Sequence, residues 1–180
     1  MGVDCIVVDD RVLVNGGLEE QTDDYFAMDD DGNLWYMGEQ SSHFDPETGE
    51  FVADGGSWVA GETLDEDGFL AQPGILIPAE PTPGMLYRQE YLKAIAEDNA
   101  TVIGEGVTIE WEETVDGVEY IGQYNEAIKT HEYAGHELSV TEPIVTEFKY
   151  YVEGIGKVAE ENPNDEEFGF LVEFIDASTP

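Results

Sequence analysis

The chain has 180 residues, enough for one domain that buries about 70% of its unfolded surface, and carries 42 Asp and Glu against 6 Lys and Arg, a formal net charge of -36. That imbalance sets nucleic acid and anionic membrane surfaces aside as partners and suits a medium that screens charge at short range, concentrated salt or abundant divalent cations. The 41% apolar share, with 8 Phe, 9 Tyr and 3 Trp, is more than a solvated tail carries, so the chain is expected to fold.

Residues 1–180 read as a single β-rich domain. "CIVVDDRVLV" is an apolar strand in which Cys5 is expected to be a buried, inert thiol; the single cysteine excludes an intramolecular disulfide and a Cys-based zinc site. The segment before it lacks the basic flank and cleavage site of a signal peptide, as in a mature chain whose export signal has been removed. Asn15-Gly16-Gly17 supplies a tight turn into "EEQTDDYFAMD", and Asp31-Gly32 a second into "LWYMGEQ". "DPETG" then leads to "EFVADGGSWVAG". Four successive strands of an antiparallel meander are predicted.

The second turn also tests for calcium. An EF-hand loop needs oxygen ligands at positions 1, 3 and 5, glycine at 6 and a bidentate glutamate at 12. With Gly32 at the glycine position, Asp29 and Asp31 fall on ligand positions, but Ala27 and Gly38 stand where the terminal ligands belong. "TLDEDG", around Gly68, fails in the same way through Thr63 and Gly74. Two readings stay open: an Asp-Gly hairpin tip, or a surface site in which Asp29, Asp31 and Asn33 share calcium or another divalent cation with carboxylates of another loop.

Residues 62–86 hold four of the eight prolines and read as a long connection or cap with one short strand, "ILI". In "YRQEY", residues 87–91, alternation places Tyr87, Gln89 and Tyr91 on one face and Arg88 with Glu90 on the other, an ion pair or an anchor for an anion. "TVIGEGVTIEWEE", "VEYIGQYNEAIKTHEYA", "PIVTEFKYYV", "GKVAEE" and "FGFLVEFID" complete about ten strands, residues 163–180 forming the last strand and tail. In "HEYAGHE" the spacing of His131 and His136 fails the H-E-x-x-H zinc motif, leaving at most a looser site with Glu132. No nucleophile elbow or phosphate loop occurs, no catalytic residue is assigned, and no apolar run reaches the length of a membrane-spanning helix.

Together "DYFAMDDDGNLWYMGE", "GSWVAG", "PGILIPAEPTPGMLYRQEY" and "KYYVEGIGKVAE" resemble a family of uncharacterised bacterial secreted or lipid-anchored β-rich proteins over roughly residues 20–160. The closing "YYVEGIGKV" is similar to the last hairpin of periplasmic lipoprotein-carrier-like folds. The resemblance implies a curved antiparallel sheet or open barrel and a place outside the cytoplasm, extracellular or at the cell surface. The predicted role is a non-enzymatic binding protein whose concave face, lined by Tyr36, Trp58, Tyr87, Tyr91 and Tyr150 with Arg88 and Glu90, meets an apolar or extended ligand. The alternatives are a self-assembling structural protein that pairs strands with copies of itself and binds divalent cations, and a hydrolase using Arg88, Glu90 and Glu132.

Overall fold

The computed structural model describes residues 2–54, 56–115, 117–134, 146–163, 167–173 and 175. Every regular element among them is a strand, and every ladder is antiparallel, as the turn-punctuated sequence predicts. The first half of the chain contributes β1 (Ile6–Val14), β2 (Gly17–Met28), β3 (Leu34–Phe44), β4 (Phe51–Asp54), β5 (Trp58–Val59), β6 (Gln72–Ile77), β7 (Leu86–Arg88) and β8 (Glu90–Tyr91). The second contributes β9 (Asp98–Val115), β10 (Val118–Ala134), β11 (Thr146–Val152), β12 (Gly156–Asn162) and β13 (Glu167–Phe170).

Two sheets result. One runs β1-β2-β3-β6-β8, with β4 and β5 also laid along β3, and the other β13-β12-β11-β10-β9-β7. They share one stretch of chain: residues 86–88 pair with β9 while residues 90–91 pair with β6. The strand changes sheet at Gln89, whose backbone N–H still donates to Asp98. The fold is therefore a strongly curved meander, an unclosed barrel with β1 and β13 as its outermost strands.

Residues 62–86, read from sequence as a connection or cap, supply a strand between β3 and β8. It starts at Gln72 rather than at Ile75, and Pro73 lies near its first residue, where a missing N–H costs the ladder least.

Each sheet has an apolar cluster. In the first, Trp58, 1% exposed, meets the ring of Tyr36 edge-on at 5.5 Å, and Phe26 stacks on Tyr36 at 5.1 Å. Gly38 makes this possible: its φ is 140°, and a Cβ there would lie 2.3 Å from the Trp58 carbonyl oxygen. In the second, three register shifts between Tyr124 and Thr130 bend the long β9–β10 hairpin. Its distal half brings Ile109, Trp111 and Tyr124 into one cluster with Tyr150, Ala159, Phe168 and Phe170 of β11–β13. Trp111 also lies across Gly122, where a Cβ would come within 2.2 Å of the ring.

Cys5 precedes the first strand and is exposed, not buried as its apolar neighbours imply, because among the described residues the strand it leads into is the outermost of its sheet.

Candidate functional site

The predicted ligand-binding residues divide between the two faces of the curved sheet. Residues opposite one another in antiparallel ladders share a face, so Tyr87, opposite Ala100, lies on the same side as Glu132, Thr130 and Lys149. Tyr150, opposite Lys129 and Ala159, lies on the other side, where its hydroxyl donates to Glu161 at 2.9 Å. Tyr36 and Trp58 belong to the first apolar cluster, while Tyr91 is exposed with the Arg88 guanidinium 3.9 Å from its ring centre.

The expected Arg88–Glu90 pair does not form. Because the strand changes sheet at Gln89, alternation breaks there: Arg88 pairs with Glu97 at 3.4 Å, while Glu90 is partly withdrawn from water within the fields of Asp98, Glu39, Lys149 and Glu132. The suggested hydrolase trio of Arg88, Glu90 and Glu132 is thus split. His131 and Glu132 likewise point to opposite faces, the imidazole against Phe148 at 5.2 Å and the carboxylate inward; His136 lies outside the described residues.

At the second hairpin tip, Asp29 Oδ1 accepts the N–H groups of Asp31 and Asn33, and Oδ2 accepts Asn33 Nδ2 and the Trp35 indole N–H at 2.8 Å. Chiefly because of the Trp35 and Asn33 bonds, the carboxyl titrates at about 2. Asn33 Oδ1 accepts the Ala79 N–H, tying the tip to the proline segment. Asp65 repeats the geometry with the N–H groups of Asp67 and Phe69. These carboxylates organise turns through short local bonds, and among the described residues no group of three or more His, Cys, Asp or Glu side chains is placed to hold a metal ion.

What the sequence reading missed is the inner face itself. On the wall built by β10, β11 and β12, Glu132 Oε1 accepts Gln89 Nε2 at 3.0 Å, Thr130 Oγ1 at 2.7 Å and the Tyr151 hydroxyl at 3.0 Å, and Oε2 pairs with Lys149 at 3.2 Å. Burial would raise this carboxyl, but Lys149 and the three donors outweigh it and hold it below its usual range. Lys149 also reaches Glu147 at 3.2 Å. Lys157 pairs with Glu160 at 3.1 Å and, across the mouth of the barrel, with Asp10 of β1 at 3.5 Å.

On the opposite wall, the Tyr36 hydroxyl lies 2.5 Å from Asp24 Oδ1 and 2.8 Å from Glu39 Oε2. A hydroxyl has one proton to donate, so both contacts are hydrogen bonds only when one carboxyl is protonated and donates back. Burial, against the Tyr36 bond, pushes Asp24 up to about 6 and Glu39 up to about 7, with the Asp10 charge further raising Asp24 and the Asp24 charge further raising Glu39. Glu90 is raised well above its usual range by burial and then by Asp98 and Glu39. Among the described residues, no lysine or arginine forms an ion pair with Asp24, Glu39 or Glu90. Nearby, the Tyr87 hydroxyl is buried with no hydrogen-bond partner among the described residues, and burial and the Glu132 charge both raise its pKa.

The signal that would have found this face is the scarcity of cations. With only 6 Lys and Arg in 180 residues, Lys149 and Lys157 inside predicted strands stand out as partners for buried acids.

No protein-family model matches the chain, no curated protein matches its sequence at a significant level, and no solved structure matches its fold at one. Fold and site thus define a class by physical description alone: an all-β protein, an open antiparallel barrel with a charged inner face.

Proposed function

We propose that the protein is a non-enzymatic binding protein working outside the cytoplasm, and that an extended ligand lies along the inner face and presents cationic or hydrogen-bond-donating groups to Asp24, Glu39 and Glu90. The observation that carries this reading is an asymmetry. Both inner lysines are engaged with carboxylates, whereas among the described residues Asp24, Glu39 and Glu90 form no ion pair and the Tyr87 hydroxyl has no hydrogen-bond partner. The charge of this face favours such a ligand over an apolar one. A bound cation would supply what Lys149 supplies to Glu132, and the carboxyls would release their protons as it arrives. The extracellular setting rests on the acidity of the chain and on its resemblance to secreted β-rich proteins; divalent cations then stabilise the exterior by screening.

Calorimetric titration with spermidine tests this, in about 0.3 M salt to suppress adhesion to the acidic exterior. Expected is saturable binding with proton release between pH 6 and 7, weakened at least about tenfold in Glu39→Gln/Glu90→Gln and unchanged in Glu110→Gln/Glu112→Gln on the exposed hairpin. Equal binding by both variants, or none by the parent, overturns the reading.

A further inference from the structure

The outermost strand β1 is a nine-residue edge that, among the described residues, pairs only with β2. Edges are protected by charged side chains, lysine above all, by proline or by a bulge. β1 has no lysine or proline and the register shift beside Val12 puts its extra residue, Glu19, on β2; its charges are confined to the central Asp9, Asp10 and Arg11, which leaves both apolar flanks open. Its exposed apolar side chains occupy both faces, with Ile6 at 70% on the inner side and Val7 and Leu13 at 56% and 54% on the outer side. A strand added alongside would meet apolar cross-strand partners on both faces.

The sequence of β1, IVVDDRVLV, is also symmetric in chemistry about its central residue. Laid antiparallel against a second copy with Asp10 opposite Asp10, Ile6 meets Val14, Val7 meets Leu13, Val8 meets Val12, and Asp9 meets Arg11, twice over. Every apolar residue then faces an apolar residue, and one of the chain's two arginines faces an aspartate. The like pair at the centre is tolerable because each Asp10 has Lys157 of its own chain 3.5 Å away. Shifting the register by two residues in either direction places an aspartate or Arg11 opposite a valine or leucine.

We infer that two copies of the chain pair through β1 in this register, about a twofold axis at Asp10, joining their sheets into one continuous sheet. This goes beyond the binding reading and does not depend on it. The contact is isologous, so it closes at the dimer. The large net negative charge opposes approach, so association needs salt to screen it.

Sedimentation across a concentration series, at low salt and in about 1 M salt, gives the first test. Expected is a monomer at low salt and a monomer–dimer equilibrium at high salt. Arg11→Asp weakens the dimer at least about tenfold, and the charge-swapped Asp9→Arg/Arg11→Asp restores it, because the swap keeps the pairing across the axis. A second test fixes the register in a Cys5→Ser background, Cys5 being exposed. Opposed Cα atoms about 4.5–5.5 Å apart lie within disulfide range, so Asp10→Cys forms an intermolecular disulfide whereas Val8→Cys, facing Val12, does not. A monomer at every concentration and salt, a series of species growing beyond two, or equal cross-linking by both cysteine variants overturns the inference; native far-UV circular dichroism of each variant excludes unfolding as the cause.

Discussion

Glu132 and Glu39 stand on opposite walls of the same open barrel, the first buried and the second half-buried, yet desolvation leaves them with opposite acidities. Glu132 has Lys149 and three neutral donors and titrates below its usual range, while Glu39 shares one tyrosine hydroxyl with a second carboxyl and titrates near 7. Desolvation pushes both in the same direction. What decides the sign is whether a cation is built in, and on this molecule one wall is supplied and the other is not.

The largest break in that contrast comes from removing the cation. Lys149→Met strands Glu132 and Glu147, and should cost ~3–5 kcal/mol in urea unfolding, most of which Glu132→Gln in the same chain recovers. A single-variant loss well below that range would mean Glu132 is held by its neutral donors alone. Next in size, Tyr36→Phe takes the only shared donor from Asp24 and Glu39, and near pH 8 should destabilise the fold by ~1–3 kcal/mol.

Glu39→Gln has the opposite sign. Glu39 is raised from 4.5 to about 7, so between those values the folded chain keeps a proton that the unfolded chain releases. Stability from this group is full below pH 4.5, falls as pH rises through the window and stays low above it. The glutamine variant should therefore match the parent near pH 4 and exceed it by ~1–2 kcal/mol at pH 8 in thermal unfolding. A constant difference across pH would remove the shared-proton picture. The smallest effect belongs to the hairpin tip: Asp29→Ala should lower the thermal midpoint slightly and speed amide exchange at Asp31 and Asn33, leaving both walls unchanged.

The strands were readable because Asn15-Gly16, Asp31-Gly32 and Glu47-Thr48-Gly49 mark turns where residues adopt positive φ, and the segments between them have strand length. The crossing at Gln89 was not, since a period-two pattern has no symbol for a residue at which a strand passes from one sheet to another and reverses its parity. That one unreadable residue misassigned Arg88 and Glu90. The inner face was hidden for a related reason: in "KTHEYA" both faces of β10 are polar or aromatic, so alternation could not show that Thr130 and Glu132 point inward while His131 and Tyr133 point out. Trp58 and Tyr36 were legible as important aromatics, but sequence could not separate a ring packed in a cluster from a ring offered to a ligand.

The single stretch 86–91, shared by both sheets, also bears on how the chain reaches its native state. Most ladders join neighbouring hairpin strands, which close at little loop-closure cost, while β3 with β6 must close over the intervening β4, β5 and the start of the proline segment. The Asp10–Lys157 contact joins nearly the two ends of the chain and forms only after the whole ribbon has curled through Gln89. Closure of the mouth therefore carries the largest loop-closure cost of the contacts described, and an Asp10→Asn variant should leave the hairpins intact while loosening the mouth in amide exchange.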